Sequence, residues 1–234
     1  MAAHVPGSGT EEELLGLDMF VSDAALIPRT YRFPPLVSVE IMAVASENQH
    51  IDKWVPLVVW NASVEMGKAL ANNVIDVRGK RVLELGSGTG LCGLVAALVS
   101  RELCVLTDGA KCSVEALGQS ARLNRLQEHV ICRQLFWGDM DAARQIVTEF
   151  GAFPIVLATD LIYEVAAIEP LLFSALMILE PMGELFLANH KFRFPHLDTK
   201  LKDVLAKMPY GSEMILKETR KLGDVDLWII VKKK

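Results

Sequence analysis

The chain has 234 residues, 51% of them hydrophobic, which is enough for one α/β domain with a full core and excludes wholesale disorder. Lys and Arg number 24 against 29 Asp and Glu, so the net charge of −5 argues against nucleic acid as the partner. The 4 cysteines form no C-x-x-C pair, which predicts buried thiols rather than disulfides or a metal site. No signal peptide or membrane-spanning run is visible, and we expect a soluble protein of the cytoplasm, with the nucleus as the alternative.

The first part of the chain precedes the clearest pattern. Residues 1–29 predict a mobile N-terminus, in which a capping box beginning at Thr10 would start a short helix. Residues 30–79 form an accessory segment, where Pro34-Pro35 separates two β-rich stretches and predicts a hairpin. A helix is expected to follow from Asn61.

From residue 80 to residue 234, apolar strands alternate with helical patterns and form the predicted ligand-binding core. The strands are predicted near 81–85, 103–107, 130–135, 154–159 and 184–189, and the helices near 90–99, 111–124, 140–149, 166–179 and 195–207. Alternation of this kind indicates a parallel sheet covered on both faces. The last two strands, 213–217 and 226–231, have no helix between them and must be antiparallel. The sequence therefore predicts one α/β domain over residues 30–234, with a Rossmann-like, mostly parallel seven-stranded sheet ending in an antiparallel hairpin.

A glycine-rich loop follows the first strand of this core. Gly86, Gly88 and Gly90 lie between the strand and an apolar helix. Residues without Cβ let the backbone approach a ligand closely, and the loop delivers that ligand to the positive end of a helix. The glycines leave two ligand classes open, because Gly88-x-Gly90-x-x-Gly93 also fits the dinucleotide fingerprint, with Asp108 about 20 residues further on.

Glu84 separates these two ligand classes. A carboxylate inside an otherwise apolar strand is costly unless it has partners. A cationic cofactor, or the loop N–H groups that hold it, would supply them, whereas a pyrophosphate would be repelled. The structural alternative is an ion pair with Arg81 or a lysine. Glu84 therefore favours a sulfonium cofactor.

Further candidates follow the other predicted strands, at the edge where open α/β sheets bind ligands. Asp108 is placed to accept from ribose hydroxyls, or to cap the next helix. Trp137 is expected to lie on an adenine and Asp139 to accept from its amine; alternatively, they pack on the core and cap a helix. Asp160 and Tyr163 follow the fourth strand, where the alternative is a helix cap and a half-buried tyrosine.

Together these motifs resemble the seven-strand, S-adenosyl-L-methionine (AdoMet)-dependent protein-lysine methyltransferases of the methyltransferase-like 21 type. The matching elements are the acid-x-Gly-x-Gly-x-Gly loop from Glu84, Val59-Trp60-Asn-Ala-Ser63, Asn124, Leu135-x-Trp-Gly138 and Asp160-x-x-Tyr163. They cover roughly residues 30–231 in the family's order, and the antiparallel end of the sheet agrees with the family's topology. The family's usual arginine after the fifth strand has no direct counterpart in Asn189-His190-Lys191-Phe-Arg193, which leaves substrate specificity open.

The resemblance implies a role for each matched residue. Asp160 would bind and aim the lysine amine, and Tyr163 would wall the lysine channel. The cofactor would be held by Trp60, Glu84, Gly86, Gly88, Gly90, Asp108, Trp137 and Thr159. The product would be S-adenosyl-L-homocysteine (AdoHcy), and the partner a protein that presents a lysine.

Other functions stay open on the sequence alone. A nicotinamide-dependent oxidoreductase of Rossmann type would use the same glycines, and a non-catalytic scaffold would use only the N-terminal segment. A methyltransferase could also act on a small molecule or on another protein side chain, since the fold does not specify the acceptor. We expect a monomer, because no heptad or other association stretch is visible.

Overall fold

The structure is a computed structural model that describes residues 26–35, 37–44, 57–209 and 211–234. The helix predicted from Thr10 lies outside these residues, and the division of the chain at residues 29 and 79 stays a prediction. Within the described ranges, no helix combines the length and the apolar character that crossing a membrane requires.

The described residues form nine strands and six α-helices. The strands are β1 (Leu26–Phe33), β2 (Val37–Val44), β3 (Val82–Leu85), β4 (Cys104–Asp108), β5 (Val130–Gln134), β6 (Phe153–Thr159), β7 (Leu179–His190), β8 (Met214–Leu222) and β9 (Val225–Lys232). The helices are α1 (Asn61–Ala71), α2 (Leu91–Ser100), α3 (Lys111–Leu123), α4 (Met140–Phe150), α5 (Ile168–Ile178) and α6 (Leu197–Lys207). Two short 3₁₀ turns cover Val165–Ala167 and Gly211–Glu213.

Seven strands form one sheet in the order β5-β4-β3-β6-β7-β9-β8. Strands β3 to β7 pair in parallel, and β9 pairs antiparallel with both β7 and β8. The turn between β8 and β9 is two residues long and contains Gly223, whose φ of +59° favours glycine. The predicted fold class is confirmed, including the antiparallel end.

The sheet separates two apolar layers, which explains why its central strands are mostly apolar on both faces, although β3 also carries the buried Glu84. Val82 and Leu157 face the layer that contains α1, α2 and α3, whereas Leu83 and Val156 face the layer that contains α4, α5 and α6. Successive side chains of a strand point to opposite faces, so a strand covered on both faces has no polar side.

Strand β7 begins at Leu179, five residues before the predicted start near residue 184. Helix α5 ends at Ile178, two residues before Glu180-Pro181. A proline disfavours helical geometry in the residue that precedes it, so the chain turns extended here. The sequence analysis therefore placed the end of this helix one residue too late and the start of β7 five residues too late.

The accessory hairpin is confirmed as the antiparallel pair β1–β2. It packs on the helical layer above α3, with Ile41 fully buried. Asn124 accepts a bond from Glu40 N at 2.9 Å and donates to Glu40 O at 2.5 Å, and Met42 N donates to Ser120 Oγ at 2.9 Å. Asn124, which carried part of the resemblance, therefore holds the hairpin on the core.

The space around two helical glycines shows that α2 lies closer to the sheet at Gly93 than α3 does at Gly118. A Cβ on Gly93 of α2 would lie 2.2 Å from Leu106 Cδ2 and 2.5 Å from Glu84 Oε2, whereas one on Gly118 of α3 would meet only Arg122 Nη1 at 3.8 Å. We expect Gly93→Ala to lower the free energy of unfolding by about 1–3 kcal/mol through overpacking. Gly118→Ala should raise it by about 0.5–1 kcal/mol. Equal shifts in urea unfolding would contradict this packing.

Candidate active site

The predicted site residues converge at one edge of the sheet, where β3, β4, β6 and β7 end. The glycine loop follows β3, Asp108 ends β4, and Thr159, which is 7% exposed, ends β6. Because parallel strands present their carboxyl ends at the same edge, loops distant in sequence become neighbours there. Hydrogen bonds between these loops then set the geometry of the site.

The glycine loop has a backbone that few other residues would tolerate. Gly86, Gly88 and Gly90 have φ values of +58°, +52° and +79°. A Cβ on Gly86 would also lie 2.5 Å from Leu161 Cδ2 and 3.1 Å from Trp137 Cζ2. Gly86 is therefore required both by conformation and by space, and Trp137 lies directly beside the loop.

Glu84 is 1% exposed and turns toward the start of α2. Its Oε2 accepts from Gly93 N at 3.0 Å, one of the N–H groups that a helix leaves unpaired at its first turn. The alternative ion pair with Arg81 is wrong, because Arg81 donates to Phe150 O and, at 2.6 Å, to Ala152 O. Burial raises the pKa of Glu84 to about 7, while hydrogen bonds to its side chain partly offset that effect.

Asp108 ties the end of β4 to the glycine loop. Its Oδ2 accepts from Gly88 N at 2.8 Å and its Oδ1 from Ala110 N at 2.9 Å. The alternative role of Asp108 as the cap of α3 is wrong, because Ala110 directly precedes α3 and no side chain caps this helix. The carboxylate therefore lies at the ligand edge of the sheet, oriented by the loop itself.

Trp137 and Asp139 follow β5, and only Asp139 takes part in capping a helix. Asp139 is exposed and caps α4, since its Oδ1 accepts from Ala142 N at 3.0 Å. The helix-cap alternative is thus confirmed for Asp139. Trp137 is half-buried against the apolar layer of α4 and α5. Gly138, with a φ of +87°, donates its N–H to Ser174 Oγ at 2.8 Å and fixes this loop.

Asp160 joins three parts of the fold at the end of β6. It is 5% exposed and adopts a left-handed φ of +55°. Its Oδ1 accepts from His190 N at 2.7 Å and its Oδ2 from Ala62 N, in the first turn of α1, at 3.2 Å. The alternative role of Asp160 as the cap of the next helix is wrong, because Ala167 precedes α5 and no side chain caps this helix. Asp160 instead caps α1 from across the sheet edge.

Asn189 fixes the segment between Asp160 and Tyr163, a role that the sequence analysis missed. Its side-chain amide accepts from Ile162 N at 3.1 Å and donates to Ile162 O at 2.9 Å. A polar residue at the end of an otherwise apolar strand was the available signal. Tyr163 itself is half-buried, and burial raises the pKa of its hydroxyl, with the charge of Arg193 acting in the opposite direction.

Arg193 gives the loop after β7 a defined place in the site. Its guanidinium carbon lies 3.7 Å from the ring centroid of Trp60, which directly precedes α1. Its Nη1 lies 3.5 Å from Asp160 O, and its backbone N donates to His190 O at 2.9 Å. A cation stacked on an aromatic face is favourable, so Arg193 and Trp60 form one wall beside Asp160.

Comparison with known proteins supplies the family. The sequence profile described as lysine methyltransferase matches residues 44–207, well over half of the chain. The chain belongs to the lysine methyltransferase family. Protein N-lysine methyltransferase METTL21A of Mus musculus is 34% identical over 114 residues, which are 47% of this chain and 49% of that protein. EEF1A lysine methyltransferase 3 of Mus musculus is 28% identical over 147 residues, or 59% of this chain and 56% of that protein. The chain therefore spans about half the length of these curated relatives.

Solved structures support the fold of the family. A putative methyltransferase, SMU.776, complexed with SAH superimposes with a TM-score of 0.64 at 12% identity, over 87% of this chain and 56% of that one. TrmN from Thermus thermophilus superimposes with a TM-score of 0.53 at 20% identity, over 71% of this chain and 48% of that one. At these identities the likeness concerns the fold alone.

The raised pKa of Glu84 predicts a pH dependence of stability. Its pKa is about 7 in the folded chain against 4.5 ordinarily, so the folded state binds the proton more tightly. The associated stability is complete below pH 4.5 and is lost as the pH rises toward 7, by about 3 kcal/mol at 1.36 kcal/mol per unit. Urea unfolding of Glu84→Gln across this range should lack that loss. Parallel curves for the two proteins would contradict the assignment.

The bonds of Asp160 predict that its removal affects folding as well as function. Asp160→Ala leaves Ala62 N and His190 N without their acceptor, at about 1–3 kcal/mol for each buried group. Glu164→Ala, which removes an exposed acid four residues away, is the matched control. Similar urea midpoints for the two variants would mean that Asp160 does not hold these elements together.

Proposed function

We propose that this chain is an AdoMet-dependent methyltransferase that modifies a lysine side chain of a protein. The observation that carries the proposal is Asp160, a buried carboxylate fixed between two backbone donors, whose neighbour Leu161 lies against Gly86 of the glycine loop. Family membership supports the reaction type, and the names of the relatives support a protein lysine as acceptor.

The residues at the sheet edge fit AdoMet. Three left-handed glycines would leave room for backbone contacts to its methionine part, and Asp108, which accepts from Gly88 N, would bind the ribose. Trp137 beside Gly86 provides a flat surface for the adenine, and Thr159 lies at the strand end next to Asp160. Bound AdoMet would supply an electrophilic methyl group on a sulfonium. Glu84 would act indirectly, by holding the start of α2 in place.

The amine must lose its proton before transfer. A free lysine has a pKa of about 10.4, so a neutral amine near pH 7.4 costs about 4 kcal/mol. Arg193, close to Asp160, opposes the ammonium form, whereas Asp160 favours it. We assign Asp160 the binding and aiming of the amine, with water accepting the proton. Tyr163 and the stacked pair of Arg193 and Trp60 would wall the channel of the lysine stem.

Calorimetry tests the cofactor. AdoHcy should bind with saturation, and Asp108→Asn should weaken this binding by about 10- to 100-fold, since a charged acceptor is worth about 1.5–3 kcal/mol. Asp139→Asn, on the same edge but engaged in capping α4, is the control and should bind normally. NAD should give no heat beyond dilution. Saturable NAD binding together with silence toward AdoHcy would replace the proposal by an oxidoreductase.

Labelled AdoMet and cell extract test the acceptor. We expect label on lysines of one or a few proteins, mapped by mass spectrometry. Tyr163→Phe, which removes only a hydroxyl, and Asp160→Asn, which keeps one carbonyl oxygen, should lower labelling by about 10-fold or more at unchanged protein levels. Label confined to small molecules, or equal labelling by all variants, would refute the lysine assignment.

A further inference from the structure

The last residue of β7 and the segment before α6, residues 190–196, are here called the β7–α6 loop. This loop combines cations and aromatic side chains beside the candidate site. The loop reads His-Lys-Phe-Arg-Phe-Pro-His and contains no acidic residue, although the whole chain carries a net charge of −5. The bond from His190 N to Asp160 Oδ1 joins the start of the loop directly to the site. A locally basic segment at this place needs a physical reason.

The inner half of the loop is fixed by the site. Arg193 stacks on Trp60, and Phe194 packs against the apolar layer of α5 and α6. Asn189, just before the loop, is bonded through both amide groups to Ile162. The loop is therefore anchored at its base, and its outward side chains have a defined position relative to Asp160.

The outer half of the loop is unusually open. Phe192 is 76% exposed, the most exposed large hydrophobic residue among those the structure describes. Lys191 is also exposed, and its Nζ lies 4.7 Å from the ring centroid of Phe192. Aromatic side chains are enriched where one protein surface binds another, so Phe192 offers an apolar contact next to the positive charge of Lys191.

The charges around the loop form a pattern of opposite signs. Between described residues, none of the ion pairs includes Lys191 or Arg193. The nearby acids Asp198 and Asp226 already pair with Lys202 at 2.7 Å and Lys221 at 3.3 Å. The centre of the site is acidic through Asp160 and Asp108, and its rim along the loop is basic.

We propose that the β7–α6 loop is the docking surface for the substrate segment that flanks the target lysine, and that this segment is acidic and carries an apolar residue. The inference rests on the proposed function and specifies its substrate class. A lysine with acidic neighbours matches an acidic centre with a basic rim, because each charge meets its opposite. A lysine in a basic segment would meet repulsion from Lys191 and Arg193.

Peptide binding tests the surface independently of catalysis. The probes are fluorescein-labelled Glu-Glu-Leu-Lys-Leu-Glu-Glu and the matched peptide with lysine at its four acidic positions, both followed by anisotropy. We expect the acidic peptide to bind about 10-fold more tightly or better at low salt, and this preference should weaken as ionic strength rises. Equal affinity, or no saturable binding of the acidic peptide, overturns the inference.

Charge reversal then locates the effect. Lys191→Glu should weaken binding of the acidic peptide by about 3- to 10-fold and improve that of the basic one. Phe192→Ser should weaken both by about 5-fold, because the aromatic contact does not depend on the sign of the charge. Lys233→Glu makes the same charge change on an exposed residue at the opposite edge of the sheet and is the control. If Lys233→Glu matches Lys191→Glu, the preference reflects net charge and the inference fails.

Mapped methylation sites separate this inference from the proposed function. Lysines methylated by the wild-type chain in extract should have acidic neighbours, and Lys191→Glu should reduce that bias. Methylated lysines without any such bias contradict the docking surface while leaving the proposed function intact. A chain that binds the acidic peptide but methylates no lysine contradicts the proposed function.

Discussion

The double hydrogen bond of the Asp160 carboxylate is the interaction on which the site depends. One side chain accepts from the first turn of α1 and from the end of β7, while its own residue belongs to the turn after β6. Three segments widely separated along the chain are thereby held within bonding distance of one another. The backbone of Asp160 is left-handed, a conformation that aspartate tolerates better than most residues.

The other two acids of the site also accept hydrogen bonds from backbone N–H groups of separate segments. Glu84 accepts from the start of α2 and Asp108 from the glycine loop, so each carboxylate is oriented by a backbone N–H group. Asp108 and Asp160, held in this way at the sheet edge, need little reorganisation when a ligand binds. The arrangement also means that loss of activity on replacing one of them combines a folding effect with a chemical one, and stability has to be measured beside activity.

The β7–α6 loop contacts the site with some of its side chains and exposes others to solvent. Arg193 faces inward onto Trp60, whereas Lys191 and Phe192 face solvent. Loops on a rigid sheet edge can change their outward residues without disturbing the scaffold, which makes them natural carriers of specificity. The arginine that the family usually has after the fifth strand has no direct counterpart at the start of this loop. Arg193, further along the loop, nevertheless lies beside Asp160.

The fold followed from local pattern, because apolar strands alternating with helices have few compact arrangements, and two successive strands with a short turn must run antiparallel. The glycine loop and the strand-end acids were also evident, since close approach and ligand edges restrict residue types locally. Only the tertiary structure decided what the acids bond to: Glu84 to α2 rather than to Arg81, and Asp160 to α1 rather than to the following helix. Such partners lie far apart in sequence, and their distances depend on how helices and loops pack, which periodicity does not encode. The stacking of Arg193 on Trp60 was hidden for the same reason.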